Sequence, residues 1–218
     1  MCIRDRQQVG SEHVQLLDDQ RVHFLREGIS IDLGGIGKGY SIDRATELIE
    51  SEGISDFLIH GGQSSVTARG HRAVHEEPNG WTIGISHPTV PNVRLAELYL
   101  RDQSLGTSGS ARQGFFHQGK RYGHVIDPRN GWPASQFLST TVITPTAAEA
   151  DALATAFFVM SIDEVSHYCA EHPQVKAIVI FDCKESDATG TEGARSTTKG
   201  GLEIRTFNLQ PDDWKQLA

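Results

Sequence analysis

The sequence predicts a single α+β domain with a largely antiparallel sheet. Short β-branched or aromatic runs recur between Gly, Pro and Asn punctuation, and two or three segments instead carry apolar residues at helical spacing. A chain of 218 residues with 38% apolar content suits one core, since that length buries roughly 70% of its unfolded surface.

From the N-terminus, 14–17 and 22–25 flank Asp18-Asp19-Gln20 and read as a hairpin, followed by a strand at 29–33. Glycines crowd 34–39. Residues 40–52 place Ile42, Ala45, Leu48 and Ile49 on one helical face, end near Gly53, and lead to the strand run Phe57-Leu58-Ile59. Strands are expected at 64–68, 81–85, 96–100, 114–117, 122–126 and 139–144. After Pro145, residues 147–160 are good helix formers with a stripe through Leu153, Ala156, Phe157 and Met160. Ser161 and Glu164 have capping-box spacing for another helix. A strand at 175–181, an exposed loop at 184–201 and a last strand at 202–207 complete the chain.

Charge narrows the function classes. Twenty basic residues against 28 acidic give −8, with no Lys/Arg run and no aromatic-basic interleaving, which argues against a nucleic-acid partner. No apolar run approaches the ~20 residues of a transmembrane segment. Cys2, Cys169 and Cys183 are too scattered for a disulfide framework. The opening MCIRDR resembles sequencing-adapter read-through at the start of assembled environmental fragments, so 1–14 is expected to be atypical and the domain to occupy 15–218.

Three segments carry chemistry. Asp32-Leu33-Gly34-Gly35-Ile36-Gly37-Lys38-Gly39 runs through glycines towards a helix, a layout in which backbone N–H groups and Lys38 can meet phosphate. The Walker spacing fails because Gly39 stands at the Ser/Thr position, and a plain tight turn with Lys38 solvated is the alternative. His124 sits before the turn signals Asp127-Pro128 and Asn130-Gly131, where a loop can present an imidazole suited to proton transfer; it can equally be one surface histidine among ten. Asp151 and Thr155 are four apart, so on a helix they share a face and offer hard oxygens to Mg²⁺. Otherwise Asp151 favours the helix dipole and Thr155 bonds back to a carbonyl. His71 and His75 share that spacing but sit among loop residues without a third zinc ligand.

In this order the segments resemble the ApbE family of FAD:protein FMN transferases, also described as flavin-trafficking proteins. The matching blocks are DLGG-x-x-KG-x-x-x-D at 32–43, Gly61-Gly62, Thr107-Ser108-Gly109, H-x-I-D-P-x-x-G-x-P at 124–133, and the ADALAT-like block at 144–155. The resemblance runs from about Gln15 to Phe181. It implies a T-fold-like domain, with FAD contacts at Asp32, Lys38, Gly39, Ser108, Gly109, His124 and Ile126. It also implies a metal held by the Gly35 carbonyl, Asp151 and Thr155, namely Mg²⁺ with Mn²⁺ as a substitute.

In the implied reaction, a Thr or Ser hydroxyl of an acceptor protein attacks the FAD phosphate bearing riboflavin, His124 assists, and AMP leaves. A non-catalytic flavin carrier and an FAD pyrophosphatase are the alternatives. Family members usually have about 100 further upstream residues. Many are exported lipoproteins, which implies the cell envelope, with the cytoplasm left open. Gln63-Ser64-Ser65, Ser110 and Ala154 depart from positions that are often acidic or amide, which bears on metal affinity.

Overall fold

The computed structural model describes residues 9–18, 20–72, 80–109, 114–183 and 194–217. The expected hairpin forms from β1 (Val14–Leu16) and β2 (Val22–Phe24). Helix α1 (Gly37–Ser51) is followed by β3 (Phe57–Gly61), β4 (Ser65–Arg69), β5 (Trp81–Ser86), β6 (Arg94–Leu100) and β7 (Gln103–Gly109). Next come the hairpin of β8 (Gly114–His117) and β9 (Lys120–Gly123), then β10 (Ser139–Thr144), α2 (Ala147–Val159) and α3 (Ile162–Glu171). The chain ends with β11 (Lys176–Asp182), β12 (Arg195–Lys199), β13 (Leu202–Phe207) and β14 (Trp214–Gln216).

Seven strands form the central sheet in the order β12-β13-β11-β10-β7-β4-β3, each pair antiparallel. A smaller sheet, β14-β6-β5, covers one face, and the helices cover the other. Alternation along the strands explains these layers. On β11, Ile178 and Ile180 join Val66, Leu105, Leu98 and Leu100 between the sheets, whereas Ala177, Val179 and Phe181 join Phe157, Phe158 and Val165 under the helices. Burial on both faces is why β11 reads as one continuous apolar run. Truncating a fully buried ring such as Phe157 would cost about 3–5 kcal/mol.

Several expectations are corrected. No strand forms at 29–33: the Asp32 side chain instead accepts from the Gly34 N–H at 2.7 Å, and Ile31 and Leu33 are exposed. That local side-chain bond competes with strand pairing. The first helix begins at Gly37 rather than Tyr40, and Leu48 is exposed rather than part of its buried face. The 122–126 strand is replaced by β9, which stops at Gly123; Ile126 makes only an isolated bridge to Pro133. The 184–201 loop contains β12, while 184–193 lie outside the described residues.

Strands β7 and β14 were not foreseen. The capping box of α3 is present as expected, with Ser161 and Glu164 each bonding the other's backbone N–H. Among the described residues, no helix is long and apolar enough to cross a membrane.

Candidate functional site

Helices α1 and α2 meet where their side chains are smallest. A Cβ built on Gly39 would lie 2.1 Å from the Ala147 carbonyl oxygen, so only glycine admits this approach. Gly106 does the same beneath α2, where a Cβ would lie 2.4 Å from the Ala150 oxygen. The α2 N-terminus is closed by Asp43, whose two carboxylate oxygens accept from the Ala147 and Ala148 N–H groups at 2.8 and 2.9 Å. The orphan donors of one helix are thereby satisfied by a carboxylate on the other.

Asp151 lies in this junction with 4% exposure. Its Oδ2 accepts from the Gly39 N–H at 2.8 Å, and its Oδ1 accepts from the Ser65 hydroxyl at 2.6 Å. The Lys38 ammonium stands 3.6 Å from Oδ2, with its side chain about half exposed. Asp151 is the fifth residue of α2, so the first-turn dipole reading does not describe it. Four residues on, the Thr155 hydroxyl donates to the Asp151 carbonyl at 3.2 Å and lies 3.0 Å from the Ser108 hydroxyl. The back-bond foreseen for Thr155 is therefore present. A Cβ on Gly35 would lie 3.7 Å from Thr155 Oγ1, which brings the glycine loop to the same corner.

Beside this corner opens a cleft of about 410 Å³. Asp32, Gly35 and Thr155 form its polar end, and Ile36, Val125, Ile126, Pro128, Ala156 and Val159 supply apolar walls. Polar donors at one end of an apolar cleft are the usual composition of a small-molecule site. Of the predicted residues, Asp32, Gly35, Lys38, Gly39, Ser108, Ile126, Asp151 and Thr155 lie in the cleft or its corner. His124 is exposed, two residues before Ile126, and is not among the lining residues. Gly109 ends β7 against the Leu138 carbonyl, where a Cβ would lie 3.1 Å away. Ser110 and His75 lie outside the described residues, and His71 stands 3.2 Å from Asp56.

The turn after His124 is braced by charge. Asp127, 8% exposed, accepts from Arg129 Nε and Nη2 and from the Arg129 and Asn130 amide groups. The bonded Arg129 guanidinium holds the Asp127 carboxyl below its ordinary range, and the same contact raises Arg129. The Ser161 N–H does most to lower Glu164. Burial pushes the Cys169 thiol up to about 12, which leaves it unreactive as a nucleophile.

Sequence reasoning missed two site residues. Ser65 counted only as a departure from an acidic position, yet its hydroxyl orients Asp151. Asp43 belonged to a matched block without a role; the signal for it was its spacing four residues after Gly39 on the same helix face.

The donors fit a hard cation. Asp151, Thr155, Ser108 and the Gly35 backbone offer oxygen only, and each Asp151 oxygen has lone-pair capacity beyond the bond it accepts. Among the described residues no group of three His, Cys, Asp or Glu side chains exists that could hold a metal. A cation here would therefore complete its shell with water, or with oxygens of a bound phosphate, as Mg²⁺ commonly does.

These features define an antiparallel α+β domain whose helix junction presents a lysine and oxygen donors beside a largely apolar cleft, a combination suited to an anionic ligand with an apolar part. The profile of the ApbE family matches residues 3–179, and the chain belongs to that family. The FAD:protein FMN transferase of Klebsiella pneumoniae (strain 342) is 34% identical over 167 residues, 74% of this chain and 47% of the relative. That of Escherichia coli (strain K12) is 35% identical over 156 residues, 69% and 43%. The chain thus spans about half the length of the curated relatives it matches.

Among solved structures, the ApbE protein of Thermotoga maritima aligns with a TM-score of 0.70 at 30% identity, covering 81% of this chain and 56% of that one. The flavin transferase ApbE of Vibrio cholerae aligns with a TM-score of 0.73 at 23% identity, covering 94% and 59%, a likeness of fold.

Proposed function

We propose that this chain is a Mg²⁺-dependent FAD:protein FMN transferase that moves FMN from FAD to a Thr or Ser hydroxyl of an acceptor protein and releases AMP. The observation that carries this reading is the Asp151 carboxylate, fixed by the Gly39 N–H and Ser65 hydroxyl with Lys38 3.6 Å away, one helical turn from Thr155 in the lining of an apolar cleft. The names of the curated relatives supply the reaction class.

In the balanced reaction, the acceptor oxygen bonds to the riboflavin-side phosphorus, the bond from that phosphorus to the bridging oxygen breaks, and AMP takes the electron pair. The hydroxyl proton passes to the His124 imidazole. Asp151, Thr155 and the Gly35 carbonyl would hold the cation, with Mn²⁺ able to take the same ligands. When bound, the cation neutralises charge on the phosphate oxygens. Lys38 adds a second positive charge there, the apolar walls offer contact to the flavin ring, and Asp32 holds the glycine loop through Gly34. His124 is exposed beside the cleft wall, where an incoming protein hydroxyl can reach it. By resemblance, we place the activity at the cell envelope, which fractionation of the native host would test.

Purified chain incubated with FAD, Mg²⁺ and a candidate acceptor domain should yield acceptor-linked flavin fluorescence that survives denaturing electrophoresis, with one AMP released per flavin. Chelation or Asp151→Asn should abolish both. Free FMN with AMP would replace this reading with a pyrophosphatase, and FAD bound but unreacted would replace it with a carrier.

A further inference from the structure

Arg129 is more extensively bonded than a half-exposed arginine on a turn requires. Its Nε contacts Asp127 Oδ1 at 3.0 Å and Oδ2 at 3.2 Å, and Nη2 contacts Oδ2 at 2.9 Å. Nη2 also donates to the Val159 carbonyl, while Nη1 lies 3.3 Å from both Glu164 oxygens. Three elements are therefore joined through one planar group: the turn after His124, the last residue of α2, and the first turn of α3.

Two of these attachment points adjoin the cleft: Val159 lines it, and Asp127 lies between the lining residues Ile126 and Pro128. Val125, Ile126 and Pro128 form one stretch of its lining, and Ala152, Ala156 and Val159 form another. The turn itself is closed by its backbone, with the Asp127 N–H donating to the Trp132 carbonyl and the Gly131 N–H to the Asp127 carbonyl. Its base is held separately, by Val125 and Ala134 packed against the cluster that includes Ala154, Phe157 and Phe158, so Arg129 acts on the outer end of the turn, at Pro128 and Val159. The metal-side donors Asp151 and Thr155 lie further back on α2 and are held by Gly39, Ser65 and Ser108 independently of Arg129.

We propose that Arg129 is a positioning residue that sets the spacing between these two cleft walls and thereby the affinity for FAD, a role that rests on the FAD reading given above. The fork on Asp127 locks the guanidinium plane within the turn, so that the remaining Nη2 donor meets the Val159 carbonyl from a fixed position, which a flexible ammonium does not provide. Releasing the turn removes preorganised apolar contact to the ligand while leaving the oxygen corner intact.

The test measures two affinities on the same protein: FAD by fluorescence quenching and Mn²⁺ by electron paramagnetic resonance. Arg129→Gln should raise the FAD Kd about tenfold and shift the Mn²⁺ Kd by less than about twofold. Arg129→Lys, which retains charge without the fork, should raise the FAD Kd about threefold and serves if the Gln variant does not fold. An unchanged FAD Kd in either folded variant overturns the proposal, as does a parallel loss of both affinities. If the unaltered chain binds Mn²⁺ but no FAD, the FAD reading itself falls, and this role falls with it.

Discussion

The Gly39 backbone N–H donates to Asp151 Oδ2 at 2.8 Å across 112 residues of chain. The bond exists because Gly39 lets α1 sit against the first turn of α2, where any Cβ would penetrate the Ala147 backbone. One glycine therefore both packs the helices and orients the carboxylate on which the site depends.

Gly39→Ala should be strongly destabilising. The added carbon meets the carbonyl and amide of Ala147 and Ala148 rather than a movable side-chain tip, so the helices must separate. A loss of about 3 kcal/mol in urea unfolding is expected. A loss below about 1 kcal/mol would show that the junction adjusts freely.

Removing the Asp43 cap should cost less and act at a distance. Asp43→Ala strips the acceptor from the Ala147 and Ala148 N–H groups and should lower stability by about 1–2 kcal/mol. Asp43→Asn, which keeps one acceptor oxygen, should recover part of that loss. Equal unfolding midpoints for Asn and Ala would assign the effect to the carboxylate charge alone.

Acid should loosen the turn after His124. The Asp127 carboxyl is held below its ordinary value of 3.8, chiefly by Arg129, so its stabilisation is complete above that value. It is lost as pH falls through the lower folded-state value. The Tm advantage of the unaltered chain over Asp127→Asn should hold at pH 6 and narrow progressively below 3.8. An advantage independent of pH would place the stabilisation elsewhere.

His124→Ala tests the proposed base. FAD affinity should be retained because His124 is not part of the cleft lining, whereas acceptor flavinylation should fall about 10²–10⁴-fold. Single-turnover labelling at saturating FAD separates the two effects. Unaltered turnover would remove His124 from the chemistry.

Where a segment carried its own pattern, its sequence was enough. The capping box at Ser161 and Glu164, the β-branched run of β10 and the apolar run of β11 all lie within one or two residues of their expected places. Local rules failed where pairing or packing decides. Gln103–Gly109 is poor in strand formers and becomes a strand because β4 and β10 flank it; its Gly106 is small because α2 crosses there. The polar β12 pairs with β13 across the two-residue turn Gly200-Gly201, a local hairpin signal that the strand reading passed over, whereas the three-residue β14 is recruited by β6, a partner remote in the chain.

The site divides in the same way. Spacing alone put Asp151 and Thr155 on one helical face and gathered Asp32, Gly35 and Lys38 into a single glycine-rich loop, because periodicity and turn chemistry act over a few residues. Only the tertiary structure brought Ser65 to Asp151, Asp43 to the start of α2 and Arg129 to Val159. Those contacts join residues 30 to 104 apart in the chain, and hydrogen-bond directionality over such separations is set by how the sheet and helices pack, not by neighbours in sequence.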